Sequence, residues 1–541
     1  MKKRLIPLFV LLSVFTVFGF GCSSNENSFN KNADEIIILY ENDVHCAIDS
    51  YAKFSGLKNE LLQKYEYVGT VSVGDFAQGN SLGAISKGEY IVNIMNLIGY
   101  DAVTLGNHEF DYRISRLYEL ADLMKTKPVT SNFIDLKTKQ KVFKPYTIVR
   151  YGKIDIAYIG ITTPSTISIS SPSQFLDEQG KYIYSFSGEN LFEVVQDAID
   201  SAKKDGAEYI VALSHLGTEY VNENWSAQSL VKNTFGLDVV LDGHSHSVVE
   251  NLVVQDKSGN DVPITSTGTK FANIGKLTIS KDGNISTQLI PTETVAVTDK
   301  NISDYILKIK DEYSLLGTHE IGLSLVDLIT HDENGNRIIR SSETNLGDFC
   351  ADAFRIITNA DIGFINGGGI RAALPKGKIT FNSILNVFPF NNTVCAAEVS
   401  GQDILDFLEL SVMYYPAENG SFQHISGLTF ELDSSVKSSV ELDENEFFVS
   451  VNGERRVSNA KVLNSATGIY EELQADKKYT IASHNYLLLD RGSGASMFDN
   501  AKIVVNDGML DVEMLEIFIT ENLNGKIGEE YKSSQERIII K

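Results

Sequence analysis

From residue 36 to residue 241 the chain alternates short apolar runs with stretches whose apolar positions recur at helical spacing. Ile36–Tyr40, Val68–Val73, Ala102–Leu105, Ile154–Ile161, Tyr209–Leu213 and Val239–Leu241 are rich in β-branched residues, which predicts buried strands. Phe54–Tyr65, Tyr90–Ile98 and Ile114–Met124 predict helices between them. Strands alternating with helices give an α/β architecture. A further helical stretch near Asn301–Leu316 predicts a connector, and a second block follows it. That block carries amphipathic helices over Asn345–Ile357 and Gly401–Tyr414, with strands running through to Ile538–Ile540. The expected units are residues 35–300 and 319–541, joined by a linker helix over 301–318.

Composition narrows the function classes. Of 541 residues 43% are hydrophobic and 22% charged, as in folded soluble proteins, so disorder and polytopic membrane structure are excluded. The formal net charge of −24 repels nucleic-acid backbone and excludes a polyanion-binding role. A small anionic substrate requires metal ions or a local basic pocket to reverse that field. Four cysteines, Cys22, Cys46, Cys350 and Cys395, are too few for a disulfide framework. Lys2, Lys3 and Arg4 precede the apolar run Leu5–Phe20, a secretory leader too short to span a membrane. Gly21-Cys22 and the polar tract after it resemble a bacterial lipobox, although Gly19 stands where an aliphatic residue is usual. The resemblance implies a signal peptide over 1–21, lipidation of Cys22, a polar tether over 22–34 and an extracytoplasmic, membrane-anchored protein, in the periplasm or at the cell surface.

Five of the expected strands end in polar clusters: Asp43-Val44-His45, Gly74-Asp75, Gly106-Asn107-His108-Glu109-Phe110-Asp111, Ser214-His215 and Gly243-His244-Ser245-His246. Open α/β sheets bind ligands at the carboxyl ends of their strands, so these clusters converge. In extended chain Asp43 with His45, and His244 with His246, present ligand pairs on one side. Carboxylate plus imidazole suits Zn, Mn, Fe or Co rather than Ca. Seven candidate ligands exceed one tetrahedral site, so two divalent metals are expected.

These segments, Asn42-Asp43-x-His45, Gly74-Asp75-x-x-Gln78-Gly79, Gly106–Asp111, His215 and Gly243–His246, resemble the calcineurin-like metallophosphoesterases. Glu343–Asp348, Asn366-Gly367-Gly368-Gly369-Ile370-Arg371 and Phe388-Pro389-Phe390 extend the resemblance to the 5′-nucleotidase family and its C-terminal nucleotide-binding domain. The resemblance implies a four-layer α/β sandwich over 35–300 and an α/β substrate-binding domain over 319–541, with a large rotation between them. It assigns Asp43, His45 and His246 to one metal, Asn107, His215 and His244 to the other, and Asp75 to both. It makes His108 the catalytic histidine oriented by Asp111. It gives Arg340, Asn366 and Arg371 to phosphate and ribose, and Phe390 and Tyr486 to a sandwich around the base. Each arginine can instead form a surface ion pair, and each aromatic can be plain core.

Three departures stand out. Cys46 replaces the usual glycine, His246 the usual Gln or Asn, and Asp490-Arg491-Gly492-Ser493-Gly494 the usual Gly-Gly-Asp-Gly. The purine-orienting carboxylate is therefore lost at Ser493 or shifted to Asp490. The expected activity is hydrolysis of nucleoside 5′-monophosphates by metal-activated water. The alternatives are a nucleotide-sugar or 2′,3′-cyclic nucleotide phosphodiesterase, and a non-catalytic surface lipoprotein that binds such ligands.

Overall fold

Each apolar run becomes a strand with one face on a second sheet and the other under helices. The computed structural model describes residues 31–541, apart from 80, 171, 178, 180, 219–221, 315–316 and 507–508. The leader and Cys22 lie outside the described residues. The first block contains β1 (Asn32–Glu41), β2 (Tyr65–Ser72), β3 (Ala102–Val103), β4 (Tyr146–Tyr151), β5 (Ile154–Thr162), β6 (Tyr209–His215), β7 (Val239–Asp242), β8 (Val248–Gln255), β9 (Asp261–Thr267), β10 (Asn273–Ser280) and β11 (Ile285–Pro291). They form a five-stranded sheet in the order β11-β10-β1-β2-β3 and a six-stranded sheet in the order β8-β9-β7-β6-β5-β4. The central pairs β1–β2, β5–β6 and β6–β7 are parallel.

Alternation along β1 explains why its sequence reads as one apolar run. Ile36, Ile38 and Tyr40 pack with Val71, Tyr158, Val211 and Leu241 between the two sheets. Ile37 and Leu39 face the other way, under α1 (Tyr51–Lys64) and α2 (Glu89–Ile98). Helix α3 (Arg113–Leu123) flanks them, while α4 (Leu191–Lys204) and α5 (Ala227–Asn233) cover the outer face of the second sheet. The block is thus helix on sheet on sheet on helix, the layering the resemblance implies.

The helix expected as a connector is α6 (Lys300–Ser314). It is not a free linker. Ile302, Ile306 and Ile309 lie along one helical face and are buried in the core beneath α1 and α2. The helix belongs to the packing of the first block.

In the second block, Thr344 Oγ1 accepts from the Gly347 N–H at 3.1 Å and opens α7 (Asn345–Thr358). Ser400 and Asp403 form a capping box at the start of α8 (Gly401–Ser411). The helices lie against a sheet of β12 (Ile362–Asn366), β13 (Val394–Ser400), β14 (Gln423–Ser426), β15 (Lys478–His484) and β16 (Lys502–Val505), ordered β14-β12-β15-β13-β16. Apolar side chains are buried across the boundary between the blocks. Ala84 is buried in the core of the second block. Phe447, only 3% exposed, plugs a first-block cluster of Leu105, Phe110, Ile114, Phe133, Phe175 and Phe186. Among the described residues no helix is long and apolar enough to cross a membrane.

Candidate functional site

The loops after β1, β2, β3, β6 and β7 meet at one edge of the sandwich, as expected for strand ends of a parallel core. Their geometry differs from extended chain. Asp43, His45, Asp75, His244 and His246 have φ of 51°, 47°, 56°, 74° and 57°, in the left-handed region. Such conformations are costly away from glycine and cluster where surrounding structure imposes them. The turns split His244 from His246 instead of presenting them as a pair. Asp43, His45 and His246 form one group with potential ligand atoms all within 4.8 Å of one another, and Asp75, His215 and His244 form another. Asp75 also groups with His45 and His108, so its carboxylate is common to both sides of the centre. Asn107 Oδ1 lies 2.9 Å from His244 Nδ1.

The ring orientations suit metal ligation. His45 Nδ1 lies 2.9 Å from the Gln78 carbonyl and His215 Nδ1 lies 2.7 Å from the Val73 carbonyl, so each donates there. That turns each Nε2 towards the centre, the arrangement typical of ligating histidines. His45 Nε2 and His246 Nε2 face each other at 2.9 Å. His215 Nε2 is buried without a hydrogen-bond partner and sits 3.1 Å from Asp75 Oδ2. The carboxylates are held from behind. Asp43 Oδ2 accepts from Asn42 Nδ2 at 2.7 Å and from the His244 N–H at 2.9 Å. The His108 N–H donates to Asp75 Oδ1 at 2.8 Å.

Glu109 has a role that the sequence did not disclose. It is 1% exposed and accepts the backbone N–H groups of Asp75 at 2.8 Å, Phe76 at 2.8 Å, Ala77 at 3.0 Å and Gly106 at 2.7 Å. One carboxylate therefore clamps the loops after β2 and β3 together. Gly106 is obligatory there, since a Cβ would fall 2.2 Å from Asp75 Oδ1 and 2.7 Å from His215 Nε2.

The electrostatics of the centre suit a cation. Burial pushes Asp43 up to about 7, opposed by His215 and reinforced by Asp75. Burial, then Asp75, pushes Glu109 up to about 7. Burial holds His45 and His246 well below the usual histidine range and His244 at about 3, so all three are neutral and could serve as ligands. His215 goes the other way: burial opposes its charge, but Asp75 and Asp43 lift it to about 10. A proton on His215 thus supplies charge compensation that divalent cations would supply instead. The donor set fits a pair of such ions.

His108 and Asp111 form a separate unit. His108 Nδ1 is 2.5 Å from Asp111 Oδ2. Burial disfavours the imidazolium, yet Asp111 and Asp75 raise its pKa above the usual value.

A cavity of about 1020 Å³ lies over the centre and is walled by both blocks. Asp75, Asn107, His108, Asp111, His244 and His246 line one side, and Arg340, Asn366, Arg371, Phe390 and Tyr486 the other. Asp43, His45 and His215 are buried at 0–1% exposure beside it. The Phe390 ring centroid is 6.1 Å from that of His108, and Arg371 Cζ lies 5.6 Å over the Phe390 ring. Asn366 is fixed by Gly420 O at 2.9 Å and His484 Nε2 at 3.1 Å. Wall residues without a signal in the sequence include Trp225 and Arg337, which pairs with Glu418 Oε2 at 2.7 Å.

The departures have structural accounts. Cys46 Sγ turns away from the centre into the core and lies 3.1 Å from the Ala77 carbonyl. Ser493 lines the cavity, and its N–H donates to Tyr486 Oη at 3.0 Å. Asp490 instead accepts from Asn485 Nδ2 at 2.9 Å and faces Arg113 at 3.5 Å. The segment Glu343–Asp348 contributes through packing. Glu343 accepts the N–H groups of Gln535, Arg537 and Ile538 and fixes the C-terminal strand.

Residues 37–248 match the model of the calcineurin-like phosphoesterases, and residues 325–500 that of the 5′-nucleotidase C-terminal domain. A 5′-nucleotidase of Vibrio parahaemolyticus is 26% identical, with 96% of this chain and 95% of that protein covered. The trifunctional nucleotide phosphoesterase YfkN of Bacillus subtilis is 24% identical over 92% of this chain, which spans only 34% of that protein. A solved 5′-nucleotidase precursor from Thermus thermophilus superimposes with a TM-score of 0.76 at 23% identity, covering 94% of this chain and 99% of that one.

Proposed function

The chain belongs to the 5′-nucleotidase family of calcineurin-like phosphoesterases, and we propose that it hydrolyses nucleoside 5′-monophosphates to nucleoside and phosphate. The observation that carries this reading is Asp75, shared by two carboxylate–histidine groups under a cavity whose far wall is arginine and aromatic. The fold implies divalent metal ions. Two are proposed here, one held by Asp43, His45 and His246, the other by Asn107, His215 and His244, with Asp75 reaching both. Zn or Mn fits these donors. Bound there, the cations supply Lewis-acid charge that acidifies a water and offsets the phosphate.

The chain's own groups do the rest. Arg340 and Arg371 hold the phosphate and ribose edge through planar donor forks. Asn366, locked by its two partners, presents its amide to the sugar. His108, steered by Asp111 through Nδ1, places a proton near the phosphoryl and leaving oxygens through Nε2. Closure of the cavity by the second block excludes water around these charges.

Turnover of AMP, read as phosphate release, and of UDP-glucose and 2′,3′-cyclic AMP, read as the cleaved phosphomonoesters by chromatography, with metal content measured on the same preparation, tests the reading. Turnover of AMP is expected to dominate. A diester or sugar-linked substrate is the second reading, favoured by a cavity at the upper end of the usual ligand range. No turnover of any of the three overturns both readings.

Phe390 and Tyr486 are proposed to stack on the base. Phe390→Ala is expected to raise KM for nucleoside monophosphates about 5- to 150-fold, since a stacked ring contributes about 1–3 kcal/mol. Hydrolysis of p-nitrophenyl phosphate, which has no base, should hardly change. Equal impairment of both substrates would return Phe390 to a packing role.

The leader and the Gly21-Cys22 junction support a lipid-anchored protein acting outside the cytoplasm. Cys22→Ala is expected to move the protein from the membrane fraction to the soluble one with unaltered specific activity. Membrane retention of that variant refutes the anchor.

A further inference from the structure

Lys270 follows β9 in the turn Gly268–Phe271, with φ of 52°. Its N–H donates to the Asp43 carbonyl at 2.8 Å, and Thr269 Oγ1 donates to the same oxygen at 2.9 Å. The turn is therefore tied to the first ligand loop. Among the described residues the Lys270 ammonium has no hydrogen bond or ion pair, and the charges acting on it are those of Arg371 and Arg337, both repulsive. Arg337 is neutralised by Glu418. Arg371 has the Phe390 ring face and the fields of Asp111 and Asp75, with Arg337 opposing it.

Lys270 and Arg371 line a second cavity of about 330 Å³, whose wall also carries Ser383 and Asn386. Arg371 lines the main cavity too, so the two spaces adjoin at its side chain. In a chain of net charge −24, carboxylates are abundant, yet among the described residues none pairs with Lys270. Two like charges lining one space are unfavourable alone and favourable around an oxyanion, which their donors can share. A merely solvated lysine has no reason to be anchored on the ligand loop beside a second cation.

We propose that Lys270 and Arg371 form an oxyanion subsite beside the metal centre that takes a phosphate group. The group is either inorganic phosphate leaving after cleavage or the second phosphate of a longer nucleotide. The source of the phosphate rests on the nucleotidase reading; the site itself does not.

Titration calorimetry of inorganic phosphate into metal-loaded full-chain protein tests it, with Lys270→Ala and Lys270→Arg beside the wild type. Lys270→Ala is expected to raise the phosphate Kd about tenfold at unchanged metal content, as for loss of one charge-assisted bond. Lys270→Arg should restore most of it. An unchanged Kd in Lys270→Ala overturns the proposal, because phosphate then sits on the metals alone. A loss that arginine does not restore overturns it as well, because recognition is then not by charge. The kcat/KM ratio of ADP to AMP separates the sources. A lower ratio in Lys270→Ala assigns the subsite to a substrate's second phosphate, and an equal ratio with weaker product inhibition assigns it to the departing group. If the wild type releases no phosphate from any nucleotide, the nucleotidase reading fails while the titration still decides the subsite.

Discussion

Asp75→Asn is expected to lose most of the bound metal and about three orders of magnitude in turnover. The substitution is isosteric, and the amide oxygen can still accept the His108 N–H that Asp75 Oδ1 accepts at 2.8 Å. What disappears is the charge that groups with His45 and His108 on one side of the centre and with His215 and His244 on the other. Asn also places an NH₂ or a neutral oxygen against His215 Nε2, now 3.1 Å from Asp75 Oδ2. Metal content by mass spectrometry and phosphate release on the same sample read the result. Retention of two metals with normal turnover would refute the dinuclear assignment.

His108→Ala should separate chemistry from metal binding. Turnover is expected to fall by about two to four orders of magnitude, the range for one group that donates a proton or stabilises developing charge. Metal content should hold, because Asp43, His45, His215, His244 and His246 remain. The geometry makes this a demanding test, since His108 also groups with His45 and Asp75 within 4.8 Å. Its engagement with Asp111 at 2.5 Å argues for orientation and proton transfer. Metal loss equal to that of Asp75→Asn would make His108 a ligand.

The layers of the first block were legible because strands covered on both faces must be apolar throughout, as Ile36–Tyr40 is. The clusters that converge beneath the cavity were legible because they end those strands. The rule by which Asp43 and His45 were paired was not the operative one: left-handed turns, not extended chain, aim the rings, and they send His244 and His246 to different groups. The role of Glu109 was invisible because its four partners are backbone amides from two loops. The pattern of α6 announced a helix but not the core that receives Ile302, Ile306 and Ile309. Phe447 gave no signal at all, being one aromatic after the polar run Asp443–Glu446. Lys270 was equally silent, since an unpaired cation is defined by what surrounds it.

The seating of Phe447 links the pose of the two blocks to temperature. Any motion that parts them must draw this ring, 3% exposed, out of an aromatic socket and into water. That transfer costs about 2 kcal/mol, a factor of about 30 in the ratio of closed to open forms. Hydrophobic association weakens on cooling. An open form would therefore gain population in the cold, and warming within the native range would tighten the cavity around its charges.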